Sequence, residues 1–160
     1  MSDKLSLDQL EKFIDETCDF LRGDKDAEEF EEYVLAILFL KRLNDRFNLD
    51  REIRREKLVL KGLSESQISK DLEQRESYRL FVPTMARWDV VKQEKQDLGS
   101  YLMKAFAEID DKNRGCLGLL NTIDFMKTTE TGERYMTNAI LAELMRRFEE
   151  INLADDHLAF

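Results

Sequence analysis

The chain has 160 residues, 25 Lys+Arg against 34 Asp+Glu, and a formal net charge of −9, a size that fits one domain with its own core. Six glycines and one proline are too few for an all-β protein with a turn every 8–12 residues. No Gly-x-Gly occurs, so neither a dinucleotide fingerprint nor a phosphate-binding loop can be written. Two cysteines, Cys18 and Cys116, fit a reducing compartment and supply no metal framework. The N-terminus lacks the apolar core of a signal peptide. The longest apolar run, Tyr33 to Leu40, falls far short of the ~20 residues that span a bilayer. These features predict a cytoplasmic, all-α helical bundle occupying residues 1–160 as one domain, with no membrane contact.

In chain order, the first predicted helix runs from Ser6 to about Arg22. Ser6 and Gln9 have capping-box spacing, and Leu7, Leu10, Ile14, Cys18 and Leu21 form one apolar stripe. Gly23 stops it. The second runs from about Asp26 to Phe47, acidic at its start and basic at its end, as the helix dipole favours. Its middle, Tyr33-Val-Leu-Ala-Ile-Leu-Phe-Leu40, is apolar nearly all round, which places it at the centre of the bundle. Residues 50–61 read as a separate short charged helix, and Ser64 to Arg75 as another with a Ser64/Gln67 cap. Tyr78 to Val82 alternates towards Pro83, predicting a short extended segment and then a helical turn from Met85 to Trp88. A helix is predicted over Asp97 to Asn113, burying Leu98, Leu102, Ala105, Phe106 and Ile109. Gly115 and Gly118 punctuate a short segment, Leu117 to Phe125. The last helix runs from about Glu133 to Asn152 and buries Ile140, Leu141, Leu144 and Phe148.

No catalytic or metal-binding constellation emerges. His157, the only histidine, has no ligand partner at the right spacing and reads as surface. Cys18 and Cys116 lie among apolar residues and read as small core hydrophobes. The acidic runs Asp24–Glu32 and Asp110-Asp111 read as solvated helix faces, where nothing raises a carboxylate pKa for acid–base work. One charge feature stands out. Between Lys41 and Lys61 lie eight basic residues (Lys41, Arg42, Arg46, Arg51, Arg54, Arg55, Lys57, Lys61) and four acidic ones, so this segment is +4 and the rest −13. A basic segment on an acidic body suits phosphate contact. Dipole complementation with i,i+4 ion pairs explains the same charges. Arg87-Trp88 offers a stacking platform for a base or, the favoured reading, a cap on the core.

Three stretches taken together are more specific. They are Leu21-Arg-Gly-Asp-Lys-Asp-Ala27 leading into Tyr33-Val-Leu-Ala-Ile-Leu-Phe-Leu-Lys-Arg-Leu-Asn-Asp45, then Phe81-Val-Pro-Thr-Met-Ala-Arg-Trp88, and the series Leu98-Gly, Leu102-Met-Lys-Ala105, Ile109, Asn113, Gly118-Leu-Leu and Ile123-Asp-Phe125. In this order they resemble the N-terminal helical domain of the modification subunit of type I restriction–modification systems, the adenine-N6 DNA methyltransferase subunit. The resemblance covers roughly residues 7 to 150. It implies a parent that binds S-adenosylmethionine through a later catalytic domain with a glycine-rich loop and an Asn/Asp-Pro-Pro-Phe/Tyr motif. Neither motif is present, so no cofactor and no catalytic residue are expected in this chain, which is expected to be a fragment of that parent. Arg114 follows Asn113 where the family usually has Pro. The resemblance implies two tasks: closing the complex around double-stranded DNA, and packing against the specificity subunit or a second modification subunit, with a restriction subunit in the full complex. It nominates Lys41, Arg42 and Arg87 for DNA; Arg46, Arg51, Arg54, Arg55, Lys57 and Lys61 rest on charge alone. The alternative is a protein–protein module that never touches DNA.

Overall fold

Local capping chemistry sets the helix starts in the computed structural model, which describes residues 5–114 and 123–154. The predicted features at Cys116, Gly115, Gly118 and His157, and most of Leu117 to Phe125, lie outside the described residues. Helix α1 spans Leu7–Arg22, and Ser6 caps it: its Oγ accepts from Gln9 N at 3.1 Å while Gln9 Oε1 accepts from Ser6 N at 2.9 Å. Leu10 and Ile14 are buried, Cys18 and Leu21 half-buried against the core, and Leu7 stands exposed rather than closing the stripe. Gly23 ends α1 at φ 61°, a left-handed conformation that suits glycine.

Helix α2 spans Ala27–Leu60, 34 residues, where two helices were expected. The pattern changes after Phe47 because burial changes, not conformation: no glycine or proline interrupts 47–60. At 1.5 Å per residue the rod is about 50 Å long. Its first half is the bundle centre, with Phe30, Val34, Ile37 and Leu40 fully buried. Its second half leaves the main core and packs on α3 (Glu65–Leu72), where Leu58, Ile68 and Leu72 form a separate small core. Ser64 and Gln67 make the expected reciprocal cap, at 3.2 and 2.9 Å. Helix α3 ends three residues earlier than predicted, and a 3₁₀ turn over Arg75–Ser77 follows.

The segment through Pro83 is extended, with Tyr78 at φ −132°, ψ 151°. It leads into a 3₁₀ turn, Thr84–Ala86, and the short helix α4, Trp88–Val91. Helix α5 spans Leu98–Lys112 and buries the five residues predicted for it. Helix α6 is Asn138–Glu149, five residues later than predicted, because the preceding stretch makes non-local contacts instead. There Thr128 bridges Arg134, Tyr135 N donates to Lys127 O at 2.8 Å, and Gly132 turns the chain at φ 86°. Thr137 then caps α6, whose Leu141, Leu144 and Phe148 are buried while Ile140 is only partly so. The main core gathers α1 and α6 against α2, with α5 packed on α6 and α4. Among the described residues there is no β-strand beyond that single bridge, and no helix is long and apolar enough to cross a membrane.

Gly99 seats α5 against the loop before α6. A Cβ there would lie 2.8 Å from the Phe125 carbonyl oxygen and 3.3 Å from Arg134 Nη1. Alanine gains up to about 1 kcal/mol of helix propensity over glycine in an exposed helix interior, and less beside the N-cap. Overpacking against backbone costs about 1–3 kcal/mol. The clash wins, so Gly99→Ala should lower the urea midpoint, with the change read at constant m; a midpoint that rises would show that the Phe125 loop yields freely.

Candidate functional site

Residues 81–88 run through the interior with few backbone partners of their own, so their polar groups must find side chains. Two buried asparagines supply them. From the end of α5, Asn113 Oδ1 accepts from Phe81 N at 2.9 Å, and its Nδ2 donates to Phe81 O at 2.8 Å and Ile109 O at 2.6 Å. From α2, Asn44 Oδ1 accepts from Trp88 N at 2.7 Å, and its Nδ2 donates to Leu40 O at 2.9 Å and Ala86 O at 3.3 Å. Between them, Tyr101 Oη donates to Met85 O at 2.6 Å and Arg87 Nε to Val82 O at 3.1 Å. The stretch is therefore pinned at both ends, and Trp88 is 6% exposed. Its ring is committed to the core, which sets aside the stacking-platform reading. Sequence reasoning missed Asn44 as a determinant, although a lone amide beside Leu40 and Leu43 on a buried helix is itself a signal.

The basic series divides by position along α2. Lys41 is buried at 6% exposure; its Nζ lies 2.6 and 2.7 Å from the Asp45 carboxylate oxygens and donates to Ile151 O at 2.8 Å. Arg42 donates to Leu153 O, and Arg46 to Ala154 O at 3.3 Å, with Asp50 3.5 Å away. Farther out, Arg51 and Arg87 share Glu73 at 2.9 and 2.7 Å. Arg54 grips Asp71 with two bonds of 2.5 and 3.1 Å, and Arg55 pairs with Glu65. The Arg54 guanidinium holds the Asp71 carboxyl below its ordinary range, and Arg87, then Arg51, do the same for Glu73. Each of these four arginines already holds a carboxylate. Lys57 and Lys61 differ: both are exposed at the far end of α2, and neither has an ion-pair partner among the described residues.

Those two lysines frame apolar surface. Val59 is 55% and Leu60 88% exposed, with Leu63 beside them, while Leu58 points the other way onto α3. No acidic residue interrupts 57–63. Exposed apolar residues grouped in this way mark an interaction surface more often than isolated ones do.

Burial first, then Glu31, Asp15 and Asp19, push the Cys18 thiol up to about 11, which keeps it protonated at neutral pH. Among the described residues no group of three His, Cys, Asp or Glu side chains is placed to hold a metal ion.

A family model described as the HsdM N-terminal domain matches residues 10–148, from the first buried leucine of α1 to the last buried phenylalanine of α6. Comparison with curated proteins finds no match.

Proposed function

The chain belongs to the HsdM N-terminal domain family, the N-terminal domain of the modification subunit of type I restriction–modification systems, and from that premise we propose that it is a non-catalytic DNA-clamping and subunit-assembly domain of an adenine-specific DNA methyltransferase. The observation that supports this reading best is the α2–α3 hairpin, which carries two exposed lysines, Lys57 and Lys61, and an apolar tip away from the main core. The lysines suit backbone phosphates, and the tip suits a specificity subunit or a second modification subunit, in a cytoplasmic complex that also holds a restriction subunit. Several of the other basic residues hold the hairpin itself. Arg54 and Arg55 stiffen it through Asp71 and Glu65, and Arg87 braces it through Glu73.

S-adenosylmethionine belongs, in this proposal, to the parent's catalytic domain. A cleft of about 650 Å³ lies between α4, α5 and α6, but its residues do not fit that cofactor. No Gly-x-Gly loop lines it, and both of its carboxylates are engaged: Glu149 is 2.5 Å from Lys92, and Glu94 Oε1 accepts from Gln96 N at 2.9 Å. No step through the cofactor is assigned to these residues.

A second reading, a protein-interaction domain without DNA contact, is favoured by the exposure of Leu60. Fluorescence-anisotropy titrations with a labelled duplex at about 50 and 200 mM salt separate the two. On the clamping reading, binding weakens steeply with salt, and Lys57→Glu with Lys61→Glu lowers the log–log slope by about 0.9 per lost phosphate contact. Binding that ignores both substitutions removes the hairpin from the DNA. Absence of binding at the lower salt leaves assembly as the task.

A further inference from the structure

We propose that Lys41, Arg42, Asp45 and Arg46 form a clasp that locks residues 151–154 onto the side of α2, so that the α2–α3 hairpin and this strap turn as one body.

Residues 151–154 have no regular secondary structure. A short irregular segment after a helix frays unless something ties it down. Here one helix face does so. Lys41 Nζ donates to Ile151 O at 2.8 Å, Arg42 to Leu153 O, and Arg46 to Ala154 O at 3.3 Å. Asp45 closes the set: one carboxylate accepts Lys41 through both oxygens and, through Oδ2, the Leu153 amide at 2.8 Å. The four side chains lie at i, i+1, i+4 and i+5, which is one face of α2. Lys41, Arg42 and Arg46 each donate to a backbone carbonyl of this segment, and Leu153 within it is fully buried.

The consequence concerns direction. Without the clasp the chain would pivot where α6 ends at Glu149. With it, the exit path is fixed to the middle of a 34-residue rod whose far end is the hairpin tip. Force or displacement at the tip therefore reaches the exit through α2 itself. Lys41 and Arg42 act in this scheme as anchors for the chain. The clasp does not depend on DNA binding or on any partner subunit, so its failure and the failure of the proposed function are separable.

The test is amide exchange on the whole 160-residue chain. In Asp45→Asn, exchange of the Leu153 amide should rise at least about tenfold, while Leu102, Phe106 and Ile109 in α5 keep their rates. Arg42→Gln keeps the buried Lys41–Asp45 pair and removes one strap contact; it should raise Leu153 exchange by a smaller factor, and it decides the question if Asp45→Asn does not fold. Spin labels at Lys61→Cys and Asn152→Cys, with Cys18 and Cys116 replaced by serine, should give a narrow distance distribution that broadens in Arg42→Gln. Leu153 exchange that is unchanged, or that rises only in step with α5, overturns the clasp. A distance distribution already broad before the substitution overturns the rigid coupling.

Discussion

Asn113→Ala should destabilise the fold by about 2–4 kcal/mol, read as a shift of the urea midpoint with m unchanged. Three hydrogen bonds are lost, but their count matters less than what is stranded. Phe81 is 7% exposed, and truncation leaves both its N–H and its carbonyl without the partners that Asn113 supplies at 2.9 and 2.8 Å. Each buried orphan costs about 1–3 kcal/mol, and a water entering the vacated space recovers part of it. Asn113→Asp is the sharper probe: it keeps the shape and the acceptor for Phe81 N but turns a carboxylate oxygen towards Phe81 O and Ile109 O. It should be at least as damaging as alanine. The exposed Asn48→Ala is the control, expected within about 0.5 kcal/mol of the parent. A loss below about 1 kcal/mol for Asn113→Ala would mean that the 81–88 segment is held by packing alone.

What the sequence made legible follows from range. The reciprocal caps at Ser6/Gln9 and Ser64/Gln67 act within four residues and stand where the pattern places them. The all-round apolar run 33–40 correctly marks the bundle centre. The division of α2 near residue 48 failed because a helix that leaves a core changes its hydrophobic pattern while its backbone continues. The early start given to α6 failed for the opposite reason: residues 133–137 have helical composition, but the Thr128–Arg134 pairing and the Thr137 cap claim them first. Charge in the basic segment was legible as a number, not as a set of partners. Asp71, Glu73 and Glu65 come from beyond the α2–α3 turn, and the carbonyls of 151–154 from more than 100 residues away. Only pairing distinguishes Lys41, inside the protein, from Lys61, outside it.

That distinction has its largest expected effect at Lys41. Side-chain exposures of 7% for Lys41 and 13% for Asp45 make theirs a buried pair, unlike the half-exposed Arg55–Glu65 pair at 44% and 68%. Breaking a buried pair by removing one partner costs about 3–5 kcal/mol, because the remaining charge keeps its desolvation penalty and loses its compensation. Lys41→Met should therefore cost that much: Asp45 retains the Leu153 amide but no cation on its other oxygen. Adding Asp45→Leu removes the stranded charge as well, and the double variant should recover most of the loss. It should settle about 1–2 kcal/mol below the parent, the residue being the strap contacts to Ile151 O and Leu153 N. Asp45→Leu alone strands Lys41 in the same way, so the two single losses far exceed the double loss and the cycle yields a coupling of at least about 4 kcal/mol. Because both charges are shielded from solvent, that coupling should hardly change between low and high salt, whereas exposed pairs are screened. If the double variant instead loses the sum of the single losses, Lys41 and Asp45 act separately. If the coupling stands, Lys41 is an internal anchor, and any DNA contact of this domain falls to the lysines at the far end of the same helix.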